Sequence, residues 1–331
     1  MTTWFSNLFG FEETNSKVVR QNLQLEGNKV HSIANNRVYQ FGSLEVVSLQ
    51  DLRYRKRLKA GLAKNTIDEV IGDVQHYHLF PENYGACFQA ASQFNLLEMV
   101  HPGITPEDGI SSYENDLTQG PACAIACGAG TVYRNYLVPL GNQLGQTKEK
   151  QIDCLNLIGE YFSNQQRNLW SLENGYALST NDGLDEITSI LRKMSISEYE
   201  HVKGLLLIGI QHDTEVTISD NAQIVTQIYC SALPVSYSDV EIDKWEAFSR
   251  LILEATYEAT LLASIENCLR TGNKRLYLTL VGGGAFGNPN GWIADSIVQA
   301  LNKYRYGGLE IRFISYGKSN QLVKDIIKRL E

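Results

Sequence analysis

Residues 275–304 read RLYLTLVGGGAFGNPNGWIADSIVQALNKY, and they decide the class of fold. RLYLTLV is a nearly continuous apolar run, which suits a strand buried on both faces. WIADSIVQALNKY carries its apolar residues at helical spacing. Between the two, Gly282, Gly283, Gly284 and Gly287 form a strand-to-helix turn. Such a turn exposes backbone N–H groups beside a helix N-terminus and suits a phosphate or diphosphate, with a purely structural turn as the other reading. It lacks G-K-[ST] and is not a P-loop. Glycines 282, 284 and 287 satisfy G-x-G-x-x-G. A dinucleotide fold would want an acidic residue at the end of the next strand, yet Glu310 stands at the start of EIRFISY, with only one β-α-β unit left.

The same alternation extends upstream. Further strands are expected at 87–92, 204–210, 223–233 and 310–316, and two short ones around Gly42. Helices are expected from Leu49 with Ser48 as cap, from Pro121, over 148–163, over 239–270 with a stop at Gly272, over 291–303 and over 320–330. No Pro/Gly/Ser linker and no repeat interrupts them, so one α/β/α domain is expected over 31–331, with a mostly helical insertion at about 140–200. Residues 1–30 form an aromatic arm bearing Trp4, Phe5, Leu8, Phe9 and Phe11, expected to pack on the domain.

The 331 residues include 29 Lys plus Arg and 37 Asp plus Glu, for a formal charge of −8, with 43% hydrophobic and 20% charged residues. This excludes disordered and disulfide-scaffold classes, and the acidic balance argues against a nucleic-acid partner. The longest apolar runs, 205–210 and 259–265, fall far short of the ~20 residues of a membrane span. The N-terminus lacks the pattern of a signal peptide. Cysteines 87, 123, 127, 154, 230 and 268 contain no C-x-x-C pair and sit in apolar stretches. They read as reduced core residues of a cytoplasmic protein. Arg53, Arg55, Lys56, Arg57 and Lys59 read as the solvated face of a helix. His76 and His78 have no third ligand nearby, so no metal or other cofactor is expected.

The segment 102–136 holds Glu107, Asp108, Glu114 and Asp116 on a loop that delivers Thr118, Gln119 and Gly120 to the helix at Pro121. Acidic residues before a helix have a capping explanation. Two carboxylates on one loop also supply what glycosidic hydrolysis needs, one group for water and one to bind or protonate.

The strings FQAASQFNLLEM (88–99), PEDGISSYENDLTQGPACAIACGAGTVYRNY (106–136), QTKEKQIDCL (146–155), NGYAL (174–178), GIQHDTEV (209–216), CSALPVSYS (230–238) and VGGGAFGN (281–288) resemble the MavL-like macrodomains, whose members remove ADP-ribose from arginine. The resemblance implies a three-layer α/β/α macrodomain-like fold with a mixed sheet and helical insertions. It implies Asp108 and Asp116 as catalytic carboxylates, and Asn95, with Gln93 and Phe94 beside it, as a ribose contact. It further implies Gly283, Gly284, Ala285 and Phe286 as the diphosphate loop, which Gly287 and Asn288 complete. Two departures stand out: ASQFN replaces the usual N-A-A-N, and the G-G-G…Q-E-E signature of poly(ADP-ribose) glycohydrolases is absent.

The expected activity is hydrolysis of ADP-ribosyl-arginine on a protein, with the guanidinium held by paired carboxylates. A binding module without turnover is the alternative, and a nicotinamide-dependent enzyme a third. His212, Asp213 and Glu215 follow the run GLLLIGI and are expected at its carboxyl end, where ligands of α/β sheets bind, with Asp213 as a second guanidinium ligand. Arg134 suits either a phosphate or a buried ion pair, and Tyr316 an adenine.

Overall fold

The computed structural model describes residues 2–55 and 63–331. Seven strands form its central sheet: β1 (Ser43–Ser48), β2 (Thr66–Ile71), β3 (Cys87–Ala91), β4 (Leu207–Glu215), β5 (Ile224–Cys230), β6 (Arg275–Leu278) and β7 (Glu310–Ser315). Their order is β1-β4-β5-β3-β6-β7-β2. From β5 to β2 every pairing is parallel, whereas β4 is antiparallel to both β5 and β1.

Strand alternation assigns the helical layers. Among the helices are α1 (Trp4–Phe9), α2 (Val74–Leu79), α3 (Gln119–Ala126), α4 (Asn181–Lys193), α5 (Ile242–Thr271), α6 (Asn290–Lys303) and α7 (Gln321–Leu330). In β3, Phe88 stacks on His78 of α2 with ring centroids 3.8 Å apart, while the next residue, Gln89, donates to Thr260 of α5 at 2.9 Å. In β5, Gln227 donates to the Cys123 carbonyl of α3 at 2.8 Å, and Thr226 to Asn267 of α5 at 3.0 Å. Helices α2 and α3 therefore cover one face and α5 the other, which is the expected α/β/α sandwich. Helix α5 ends where Gly272 adopts φ 82, the left-handed cap that glycine reaches without strain.

Several boundaries differ from the sequence expectation because tertiary partners take the backbone. Strand β6 stops at Leu278 since Thr279 N–H donates to the Gln89 side chain at 3.2 Å and Val281 N–H to the Tyr257 hydroxyl at 2.9 Å. The helix expected over 148–163 is confined to Asn156–Phe162, Cys154 N–H being bound to the Phe94 carbonyl at 2.9 Å. The insertion also holds a hairpin, Trp170–Glu173 with Tyr176–Ser179, that turns at Asn174 and Gly175. Arg53 is not on a solvated face: it pairs with Glu200 and with Glu258, both at 2.6 Å, and these bonds together with Lys303 hold the Glu258 carboxyl down at about 2 despite its burial. Arg55 pairs with Glu45 at 2.6 Å, and Lys56, Arg57 and Lys59 lie outside the described residues. No helix among the described residues is long and apolar enough to cross a membrane.

The arm belongs to a second apolar core. Phe5, Leu8 and Phe9 are buried with Ile110, Tyr113 and Tyr136. Trp4 Nε1 donates to the Ile110 carbonyl at 3.1 Å. The Glu13 carboxylate accepts from Ile110 N–H at 3.0 Å, Ser111 N–H at 2.6 Å and the Tyr136 hydroxyl at 2.6 Å. It fastens the loop that leads to the carboxylate segment. Hydrogen bonds to a charged group contribute about 1.5–3 kcal/mol each and do not add fully, so Glu13→Ala is expected to lower unfolding stability by about 2–4 kcal/mol in a urea titration.

Candidate active site

The carboxyl ends of the five parallel strands open onto two adjoining cavities, of about 550 and 460 Å³. This is where ligands bind in open α/β sheets. Ala91, Ala232 and Val281 bring β3, β5 and β6 to the larger cavity. Gly72, Asp73 and Tyr316 bring β2 and β7 to the smaller. Asp116, Leu117, Thr118 and Gln119 line both.

The glycine turn forms one wall. Gly283 N–H donates to the Leu280 carbonyl at 3.0 Å, Gly287 N–H to that of Gly284 at 3.1 Å, and Asn288 N–H to that of Gly282 at 2.9 Å. Gly282, at φ 81, must be glycine, since a Cβ there would lie 2.6 Å from the Ala232 Cβ. The N–H groups of Gly284, Ala285 and Phe286 make no hydrogen bond among the described residues, and all three residues line the larger cavity. Three successive unsatisfied donors fit an anion. Gly283 and Gly287 shape the turn without lining either cavity, and Asn288 is buried, its amide donating to the Leu233 carbonyl at 2.8 Å.

Facing this wall is the carboxylate segment. Asp116 is half-buried, and its Oδ1 accepts from Thr118 N–H at 2.9 Å. Thr118 caps α3, whose N-terminus therefore points at the cavity. The Gln119 amide extends the end of β3, accepting from Ala91 N–H at 3.0 Å and donating to the Gln89 carbonyl at 2.8 Å. Gly120 is buried, and a Cβ on it would collide with the Ala91 carbonyl oxygen and Glu98 Oε2. Gln93 lines the cavity but spends its amide on Met99, donating at 3.0 Å and accepting at 2.7 Å.

Three features were not singled out from sequence. Glu98 lines the larger cavity at 4% exposure, and its Oε1 is buried without a hydrogen-bond partner. Burial raises its carboxyl well above the usual range, nearby Arg134 opposing and Asp116 adding to the shift. Tyr176 and Tyr237 line the same cavity and meet Phe286 at centroid distances of 5.4 and 5.7 Å. Asp73 lines the smaller cavity at the end of β2, beside Tyr316 and Trp4 of the arm.

The remaining sequence candidates lie elsewhere. Asp108 is exposed and lines neither cavity; its carboxylate accepts from the Thr105 N–H and hydroxyl, both at 2.8 Å, which lowers its pKa. Asn95 is buried, donating to Gln151 at 2.8 Å and accepting from Leu97 N–H at 3.1 Å. Arg134 is fully buried, 3.7 Å above the Tyr229 ring, and donates to the Leu96 carbonyl at 3.0 Å, with no ion pair among the described residues.

The expectation for His212, Asp213 and Glu215 is corrected by the direction of β4. Because β4 runs antiparallel to β5, with Glu215 opposite Ile224 at the start of that strand, its carboxyl end lies at the opposite edge of the sheet from the cavities. There Asp213 holds Arg270 through two bonds of 2.6 and 2.9 Å, and His212 contacts Glu45 at 3.3 Å. Asp213→Asn is accordingly expected to leave turnover within about twofold of wild type, since surface ion pairs contribute only ~1 kcal/mol to stability and the site is remote; steady-state kinetics checks it.

No family model matches the chain, and no curated protein sequence matches it. Among solved structures it is similar to the poly(ADP-ribose) glycohydrolase of Thermomonospora curvata, with TM-score 0.45 and 10% identity over 95% of each chain. The same enzyme bound to the inhibitor ADP-HPD gives TM-score 0.47 and 11% identity over 95% of each chain. The Deinococcus radiodurans poly(ADP-ribose) glycohydrolase in complex with ADP-ribose gives TM-score 0.47 and 10% identity over 87% of this chain and 94% of that one. At these identities and TM-scores the likeness gives this chain no family and no activity; the mixed seven-stranded sheet between helical layers is the expected α/β/α class. The assignment to the MavL-like family is overturned: the similar structures belong to a different family, the poly(ADP-ribose) glycohydrolases.

Proposed function

We propose that the chain binds ADP-ribose across the two cavities and hydrolyses the bond at its anomeric carbon. The observation that carries this reading is the juxtaposition of three free N–H donors at Gly284, Ala285 and Phe286 with Asp116 across one cavity. The donors suit the diphosphate. The smaller cavity, with Asp73 to accept from an amino group and exposed Tyr316 to stack, suits the adenine. The distal ribose then lies in the larger cavity against Tyr176, Tyr237 and Phe286. Asp116 orients and deprotonates the water that attacks the anomeric carbon.

The arginine preference drawn from paired carboxylates loses two of its three members, since Asp108 is spent on Thr105 and Asp213 on Arg270. The substrate is therefore taken as an ADP-ribosyl bond, on a protein side chain or on a second ribose. The test is to incubate the protein with an arginine-ADP-ribosylated protein and, separately, with poly(ADP-ribose), and to measure free ADP-ribose by chromatography. Release from either supports the reading and names the leaving group. Binding of ADP-ribose without release from either would leave the non-catalytic binding module in its place. Binding of NAD but not ADP-ribose would favour a nicotinamide-dependent enzyme.

A further inference from the structure

Of the titratable side chains among the described residues that line the larger cavity, Glu98, Asp116, Tyr176 and Tyr237, only Glu98 has no part in the proposed binding and water activation. It stands in the loop after β3, in the string Leu96-Leu97-Glu98-Met99, and its neighbours there are all buried. A carboxyl placed among apolar side chains with one oxygen unpartnered is costly to hold. The chain nevertheless builds space for it: Gly120 brings the start of α3 up to Glu98 Oε2 where any Cβ would collide. The backbone around it is pinned, Glu98 N–H donating to the Tyr113 hydroxyl at 2.9 Å and Met99 N–H to Gln93 at 2.7 Å. Its carboxyl thus has a fixed position in the cavity wall, on the same cavity as Asp116.

Resting on the proposed hydrolysis, we propose that Glu98 is its general acid, giving a proton to the leaving-group atom while Asp116 serves the water. Water adds its oxygen to the anomeric carbon and yields a proton to Asp116. The bond from that carbon to the leaving oxygen or nitrogen breaks with its electron pair on the leaving atom, which takes the proton of Glu98. Transfer of one proton from Asp116 to Glu98 through solvent restores both, so the balance is substrate plus water to ADP-ribose plus protonated leaving group. Two carboxyl groups on one cavity, one buried and one half-buried, is the arrangement such chemistry uses. Burial raises the Glu98 carboxyl well above the usual carboxylate range, which favours the proton-bearing form a general acid needs. The groups acting on it are Arg134 from the helical segment Tyr133–Leu137, Asp116 and Tyr113 from the carboxylate segment, Tyr176 from the insertion hairpin, and Tyr229 and Cys123 from the sheet and α3. Of these, Arg134 alone favours the ionised form.

The test compares Glu98→Gln with wild type on the natural bond and on ADP-ribose carrying a 4-nitrophenyl ether at the anomeric carbon, whose leaving group needs no proton. Loss of a general acid costs about 10²- to 10⁴-fold. Glu98→Gln is expected to lose that much kcat on the natural bond and to stay within about fivefold of wild type on the nitrophenyl ether, with the ADP-ribose Kd unchanged within about threefold. Equal loss on both substrates, no loss on either, or loss of ADP-ribose binding would overturn the proposal. Wild type supplies a second reading that no folding defect can obscure. Its kcat on the natural bond is expected to fall on the alkaline side as Glu98 ionises, and that limb is expected to vanish with the nitrophenyl ether. A limb that persists with the ether overturns the assignment of Glu98 alone. Wild type that fails to bind ADP-ribose at all overturns the proposed function beneath it.

Discussion

Asp116→Ala is expected to lower kcat for ADP-ribose release by two to four orders of magnitude while leaving the Kd for ADP-ribose within about fivefold, the signature of a group that acts on the attacking water rather than on ground-state binding. Asp116 lines both cavities, and its Oδ1 is held by Thr118 N–H at 2.9 Å, leaving Oδ2 without a hydrogen bond among the described residues. The neighbouring carboxylate that sequence treats as its equal, Asp108, spends its charge on Thr105 and lines neither cavity. Asp108→Ala should therefore cost about 1 kcal/mol of stability through the lost cap and little activity. Single-turnover kinetics on the two variants separates them, and equal losses would mean that both carboxylates reach the substrate.

Gly120→Ala is expected to be the most damaging change that adds a single carbon. On helix propensity alone it should stabilise α3 by roughly 1 kcal/mol. Against that stands a collision with the Ala91 carbonyl oxygen and Glu98 Oε2. Neither neighbour yields easily: Ala91 is in register with Cys230 of β5, its N–H donates to Gln119 at 3.0 Å, and Glu98 is buried. Overpacking of this kind costs about 1–3 kcal/mol, so the collision outweighs the propensity. A shift of α3 by even ~1 Å moves Asp116 and Thr118 relative to the glycine turn, enough for about a 100-fold loss in rate. Gly291→Ala in α6 is the control, because a Cβ there meets nothing within 4 Å and Gly291 lines neither cavity. Thermal melts and steady-state rates on the two variants check this; a Gly120→Ala protein as stable and active as wild type would refute the close approach.

Much of the fold was legible in sequence, because β3, β5 and β6 are largely apolar runs sandwiched between helices, β7 alternates buried and half-buried residues, and the glycines at 272 and 282 mark turns that follow elements. Strand β2 was missed: it is an edge strand whose Asp68 is exposed and whose Glu69 accepts from the Ser315 and Ser319 hydroxyls and Asn320 N–H, so its run TIDEVI lacks the apolar signature. The direction of β4 was not readable either, since an apolar run looks the same in both senses and pairing decides which edge its carboxyl end meets. That one unknown sent His212 and Asp213 to the wrong edge. Asn174-Gly175 was a readable signal, since a two-residue turn with φ 47 and φ 83 is what Asn-Gly favours, and it delivers Tyr176 to the cavity. Glu98 was not readable, because a lone acid amid Leu96, Leu97 and Met99 gains meaning only once those neighbours are seen to be buried.

The central claim is that one ligand, ADP-ribose, spans the two cavities with its diphosphate on the glycine turn. A crystal structure of the protein soaked with ADP-ribose tests it most directly. Phosphate oxygens are expected within hydrogen-bond distance of the N–H groups of Gly284, Ala285 and Phe286, the adenine beside Asp73 and Tyr316, and the distal ribose between Asp116 and Glu98. ADP-ribose bound elsewhere, or a saturating soak that leaves both cavities empty, would contradict it.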